Sequence, residues 1–155
     1  MPNYRRLMGD VSAIVALVAT ATAAFGGSYF EKDGAAIRGY DPVAYFTQSK
    51  PVKGSPAYQV AHKGSTFHFA SEANRDLFKA DPARYAPQYD GFCAYGTAAG
   101  YKAAIDPAAY AIVDGKLYLN YNADIQKKWR ADIPGYIVKA DKNWPTVVTQ
   151  TKVYD

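Results

Sequence analysis

The chain holds one cysteine, Cys93, and two histidines, His62 and His68. Thiolate and imidazole are the donors that copper(I) and zinc prefer, so these three side chains are the candidate metal ligands. Both histidines stand far ahead of Cys93 in the chain, at separations that match no metal motif. His68 is the first choice of partner for the thiol and His62 the second. Beyond Gly27 there is no Met, which removes the thioether donors used by many copper carriers. Three fates stay open for Cys93: a small packing residue, a metal ligand, or a reactive thiol.

Catalysis has less support. Cys93 and His68 would make a nucleophile and base, but no protease or oxidoreductase motif surrounds them, and a redox thiol ordinarily has a resolving partner. There is no glycine-rich phosphate loop and no HExxH. The chain reads as a non-enzyme.

The elements that must position these residues are marked by capping and turn chemistry. Asp41-Pro-Val-Ala-Tyr45, Asp81-Pro-Ala-Arg-Tyr85 and Asp106-Pro-Ala-Ala-Tyr110 share the pattern D-P-x-x-Y. Asp caps a helical turn, Pro at the first helical position loses no hydrogen bond, and Tyr packs one turn on. The gap from Asp41 to Asp81 is much longer than that from Asp81 to Asp106, so the pattern reads as punctuation and not as a repeat. Residues 58–70 read as a hairpin about His62-Lys63-Gly64-Ser65, with Phe67 and Phe69 on one face and Thr66, His68 and Ala70 on the other. Ser71 caps a helix to Lys79 whose apolar stripe is Ala73, Leu77 and Phe78. Residues 111–119 form a second hairpin, because Asp114-Gly115 suits a two-residue turn at positive φ. Asn122 caps a helix carrying Ile125 and Trp129, and a last helix follows Gly135 and ends before Pro145. Cys93 lies in Gly91-Phe-Cys-Ala-Tyr-Gly96, where glycines permit tight turns and two aromatics wall a small pocket. The expected fold is α+β, with a small antiparallel sheet built from the two hairpins and short helices packed mainly on one of its faces.

The N-terminal stretch is different in kind. Arg5 and Arg6 precede an uncharged run from Val11 to Phe25, with small residues at Ala21–Ala23 and Thr22–Ala24 suited to cleavage. Residues 1–27 are expected to be a signal peptide or a membrane anchor, with an apolar helix to about residue 23, and 28–155 the working domain. Either route exports the domain to the periplasm. The whole chain has 18 basic and 14 acidic residues, and losing Arg5, Arg6 and Asp10 with the leader leaves a charge of +3. Only Lys127, Lys128 and Arg130 cluster, so nucleic-acid binding has little support.

GYDPVAYF (39–46), FHFASEANRDLFKADPARYAPQYDGFCAYG (67–96) and IVDGKLYLNYN (112–122) together resemble a small exported YHS-domain protein, across roughly residues 36–145. Related modules are appended to heavy-metal transport ATPases and sensors, so the resemblance implies soft-metal binding. In the metal-binding relatives one cysteine follows an Asp-Pro-Val and two more stand four apart at the strand-to-helix junction. The matching positions here are Ala44, Ala70 and Asn74, so all three thiols are missing. The Tyr-His-Ser signature falls at Phe69, Ala70 and Ser71, with only the serine kept.

Two functions follow. One is an exported, non-enzymatic accessory that binds or senses a transition metal, copper foremost or zinc, through Cys93, His68 and His62. The other is a metal-free interaction module docking on a protein partner in a membrane or redox complex.

Overall fold

Two-residue turns set the architecture. Lys63-Gly64 and Asp114-Gly115 both place two consecutive residues at positive φ, which matches the twist of the strands they join and favours glycine at the second position. Asp33-Gly34 does the same near the start. The computed structural model describes residues 27–155. The expected leader or anchor and its cleavage site therefore lie outside the described residues, apart from Gly27.

The chain opens with a short hairpin, β1 (Glu31–Lys32) and β2 (Ala35–Ala36), and a 3₁₀ turn at Ile37–Gly39. A short helix α1 (Ala44–Thr47) leads to the hairpin β3 (Ser55–His62) and β4 (Ser65–Phe69). Helices α2 (Glu72–Ala80) and α3 (Pro82–Tyr85) follow, then a 3₁₀ segment at Gln88–Gly91 and helix α4 (Ala94–Ala99). Strand β5 (Lys102–Ala103) precedes the hairpin β6 (Asp106–Val113) and β7 (Lys116–Asn120). Helices α5 (Ala123–Arg130) and α6 (Ile133–Val147) and a strand β8 (Val153–Tyr154) complete it. This is a small α+β fold, and both long hairpins form where their turns place them. They remain separate two-stranded ladders, and β8 pairs in parallel with β5.

The two long hairpins belong to two copies of one unit. A single constant offset along the chain carries the start of β3, Ser55, onto that of β6, Asp106; it also carries Ser65 of β4 onto Lys116 of β7 and Glu72 of α2 onto Ala123 of α5. Even the irregular registers correspond, between Ser55 and Gln59 in one and Asp106 and Tyr110 in the other. The polar contacts repeat at the same offset. Ser55 Oγ accepts from the Ala57 amide and Asp106 Oδ1 from that of Ala108. Ser71 caps α2 through the Asn74 amide, and Asn122 caps α5 through that of Ile125. Asp81 and Asp132 cap the helices that follow. Side chains correspond too: Pro56 with Pro107, Gly64 with Gly115, Phe67 with Tyr118, Phe78 with Trp129.

D-P-x-x-Y is capping punctuation at Asp41 and Asp81, as expected, but not at Asp106. The third example is a strand, Asp106 to Tyr110, whose true counterpart is Ser55-Pro56 and not Asp41-Pro42. The repeat hides in sequence because capping tolerates Ser, Asp and Asn alike and burial tolerates Phe or Trp, so roles recur while letters change. Two further expectations move. The buried stripe of α2 is Asn74 and Phe78, one turn apart, while Ala73 and Leu77 face solvent. Helix α6 starts before Gly135, with Asp132 as its cap, and runs through Pro145. It survives the proline because Ala140 and Val147 are buried and the Lys102 ammonium caps its end, donating to the Val148 and Gln150 carbonyls at 3.0 and 2.8 Å.

Two aromatic clusters make the core. Phe67, Phe69 and Phe78 meet at ring separations of 5.0 and 5.1 Å in one. Trp129 packs on Tyr118 at 5.4 Å in the other, with Ala94 and Ala140. Strand β7 serves both, sending Leu117 and Leu119 to the first core and Tyr118 to the second.

Candidate functional site

At the start of the first unit, Asp41 is fully buried. Its Oδ1 accepts from the Val43 and Ala44 amides at 2.8 and 3.2 Å. Its Oδ2 accepts from the Ala70 amide at 2.9 Å and from Asn74 Nδ2 at 2.7 Å. Four donors thus saturate one carboxylate, which ties α1, the end of β4 and the first turn of α2 together. A buried ionised carboxylate is tolerable only with such compensation. Ala44, Ala70 and Asn74, the positions that carry thiols in the metal-binding relatives, all meet here. Two methyl groups and an amide bound to an occupied carboxylate do not fit a soft cation.

The second unit repeats this geometry around sulphur. Cys93 caps α4, and its Sγ accepts from the Gly96 amide at 3.4 Å. The Tyr95 and Tyr121 amides also bear on the sulphur. Asp41 uses the amides two and three positions ahead and that of Ala70. Cys93 Sγ accepts from the amide three positions ahead, the amide two ahead donates to Asn120 Oδ1, and the amide of Tyr121, the residue onto which the offset between the units carries Ala70, bears on the sulphur. Cys93 thus plays in the second unit the capping part that Asp41 plays in the first, one residue past the position to which the offset between the units carries Asp41. Burial pushes the Cys93 thiol up from its ordinary pKa, with the three amides pulling the other way. The thiol lies 3.6 Å from Asn120 Oδ1, which also takes the Tyr95 amide at 3.0 Å. Asn120 is fully buried, and its Nδ2 has no hydrogen-bond partner. Sequence reasoning passed over it, although a polar residue closing the apolar strand Lys116–Asn120 is the signal that marks it.

Cys93 borders a cavity of about 500 Å³ whose walls include Tyr95, Tyr101, Tyr121, Ile125 and Tyr154. The histidines are elsewhere. His62 packs among Tyr29 and Phe78, at ring separations of 5.9 and 5.7 Å, beside a different cavity with Asp90. His68 lies on β4 against Gly39 and near Lys53. Burial lowers both imidazole pKa values, assisted by Lys63 at His62 and Lys53 at His68. Among the described residues no three His, Cys, Asp or Glu side chains are grouped to hold a metal ion. Cys93, His68 and His62 are thus not brought together as one ligand set.

The fold and these sites define a small α+β protein of two hairpin–helix units, each organised around a buried capping acceptor. Residues 43–89, the first of these units, match the family model of the YHS domain, which supports a YHS-domain family protein. That family is associated with metal binding. Comparison with curated proteins gave no match, and neither did comparison with solved structures.

Proposed function

We propose that the chain is an exported, non-enzymatic binding module of YHS type that works without a metal at the positions where metal-binding relatives carry cysteines. The observation that carries this is the saturated carboxylate of Asp41. A cation entering there would have to displace four hydrogen bonds from a buried anion and would gain no soft donor in return. Export rests on the uncharged run from Val11 to Phe25 behind Arg5 and Arg6. Docking on a membrane-associated protein partner is the mode of action that goes with this reading.

A second reading, copper or zinc at Cys93, is favoured by the family's association with metals and by the thiol's place in a cavity wall. It asks a thiol whose pKa burial raises to surrender its proton, with neither histidine beside it. Metal analysis of the purified protein and its Cys93→Ser variant, with copper(I) competed against a chromophoric chelator, separates the two. The expected result is no stoichiometric metal in either protein. One equivalent of copper retained by the wild type and lost from Cys93→Ser would overturn the proposal and establish the second reading.

A further inference from the structure

The two units treat their capping acceptors differently. Asn74 closes over Asp41 in the first, but Ile125 holds the matching place in the second and offers nothing to Cys93. The thiol instead meets the cavity. Its volume, about 500 Å³, falls in the range of small-molecule sites. Four tyrosine rings line it, and Tyr101 and Tyr154 stand edge to face at 5.2 Å.

We propose that this cavity is a binding site for a neutral, planar aromatic molecule of one or two fused rings. Aromatic walls favour a flat guest, through offset and edge-to-face contacts. Charge selects a neutral one. Asp155 is the one carboxylate among the lining residues, and Lys32 Nζ already holds it at 2.6 Å. Lys152 Nζ lies 4.3 Å from the centre of the Tyr154 ring, so that ring already carries a cation and attracts a second one less. With Asp155 balanced by Lys32, a charged guest of either sign finds no unpaired partner in the wall. Asn120 lies behind the thiol and outside the cavity wall, its Oδ1 3.6 Å from Sγ, so Cys93 is the polar group that a guest meets there. The inference rests on the metal-independent reading only in taking the thiol as uncoordinated. Metal content tests that reading and ring binding tests this one, so the two fail separately.

Three probes share one ring system and differ in charge: 1-naphthol, 1-naphthalenesulfonate and 1-naphthylmethylammonium. Each is titrated into the full chain while tyrosine ring resonances are followed by NMR. The expected result is that 1-naphthol binds about tenfold or more tighter than either ion, with shifts concentrated at Tyr95, Tyr101, Tyr121 and Tyr154. Ile125→Trp, which fills the cavity, weakens that binding by about tenfold, whereas Leu77→Ala on the exposed face of α2 leaves it unchanged. Tighter binding of a charged probe, shifts centred elsewhere, or no binding of 1-naphthol would each overturn the proposal. The wild-type shift map decides the matter even where Ile125→Trp does not fold.

Discussion

Asp41 and Cys93 show how one capping role can be filled by two chemistries. Both accept from the amide three residues ahead, yet one is a carboxylate held by four donors and the other a thiol, raised in pKa by burial, beside an open cavity. Asp41→Ala strips four donors of their acceptor in a buried setting. The expected loss is about 3–5 kcal/mol in urea unfolding, larger than for removing a surface cap. Asn74→Leu keeps the carboxylate and three of its amides, so it should cost less, about 1–3 kcal/mol. If Asp41→Ala unfolds at the wild-type urea midpoint, the carboxylate is not the tie described. Asp41 was legible as a cap from D-P-V, because capping is local. Its bonds to Ala70 and Asn74 were not, because those residues are distant in the chain and meet it only once β4 and α2 fold over it.

At the scale of elements, the turn at Asp114-Gly115 and the caps at Ser71 and Asn122 were readable because each depends on a few adjacent residues. Packing faces were less so, and α2 turned Asn74 inward in place of Ala73 because its amide answers a buried carboxylate. Glycines separate the two kinds of constraint. A Cβ at Gly115 would touch nothing within 4 Å, so Gly115→Ala bears only the cost of positive φ, about 1 kcal/mol. A Cβ at Gly54 would stand 2.5 Å from the backbone carbon of His68, so Gly54→Ala must push the start of β3 from β4 and should destabilise more. Equal unfolding midpoints for the two variants would contradict the close approach. Trp129 and Phe78 hold matching positions in the two units, and Trp129 Nε1 is buried without a partner. Trp129→Phe trades lost ring volume against removal of that orphaned donor. The expected change in unfolding free energy is within about 1.5 kcal/mol, while Trp129→Ala loses about 3–5 kcal/mol.

For the whole molecule, the number of buried phenols makes alkali the vulnerable side. Burial and the charge of Asp90 push Tyr29 up to about 12, and burial raises Tyr45 and Tyr89 further, with a hydrogen bond to Asp141 adding to the effect at Tyr89. Cys93 is raised from its ordinary value of 9.0. Below about pH 8 these groups are protonated in both folded and unfolded chains, and their contribution is fully present. As pH climbs past the ordinary thiol and phenol values, the unfolded chain releases protons that the folded one keeps, so stability falls toward about pH 12. Urea midpoints measured from about pH 8 to 11.5 should decline across the alkaline half of that range, and Tyr29→Phe should flatten part of the decline. A midpoint that holds steady to about pH 11 contradicts the burial of these hydroxyls. Composition and short-range signals determined that this chain is α+β, rich in tyrosine, and built with hairpins at 63–64 and 114–115, because turns and caps are decided by neighbours in sequence. Tertiary structure alone decided that the chain folds as two matching units, that the family's thiol positions close around Asp41, and that Cys93 opens onto a tyrosine-lined cavity away from both histidines. Those outcomes depend on contacts between residues far apart in the chain, such as Asp41 with Asn74 and Cys93 with Asn120, and no local pattern specifies which of many compatible side chains will meet there.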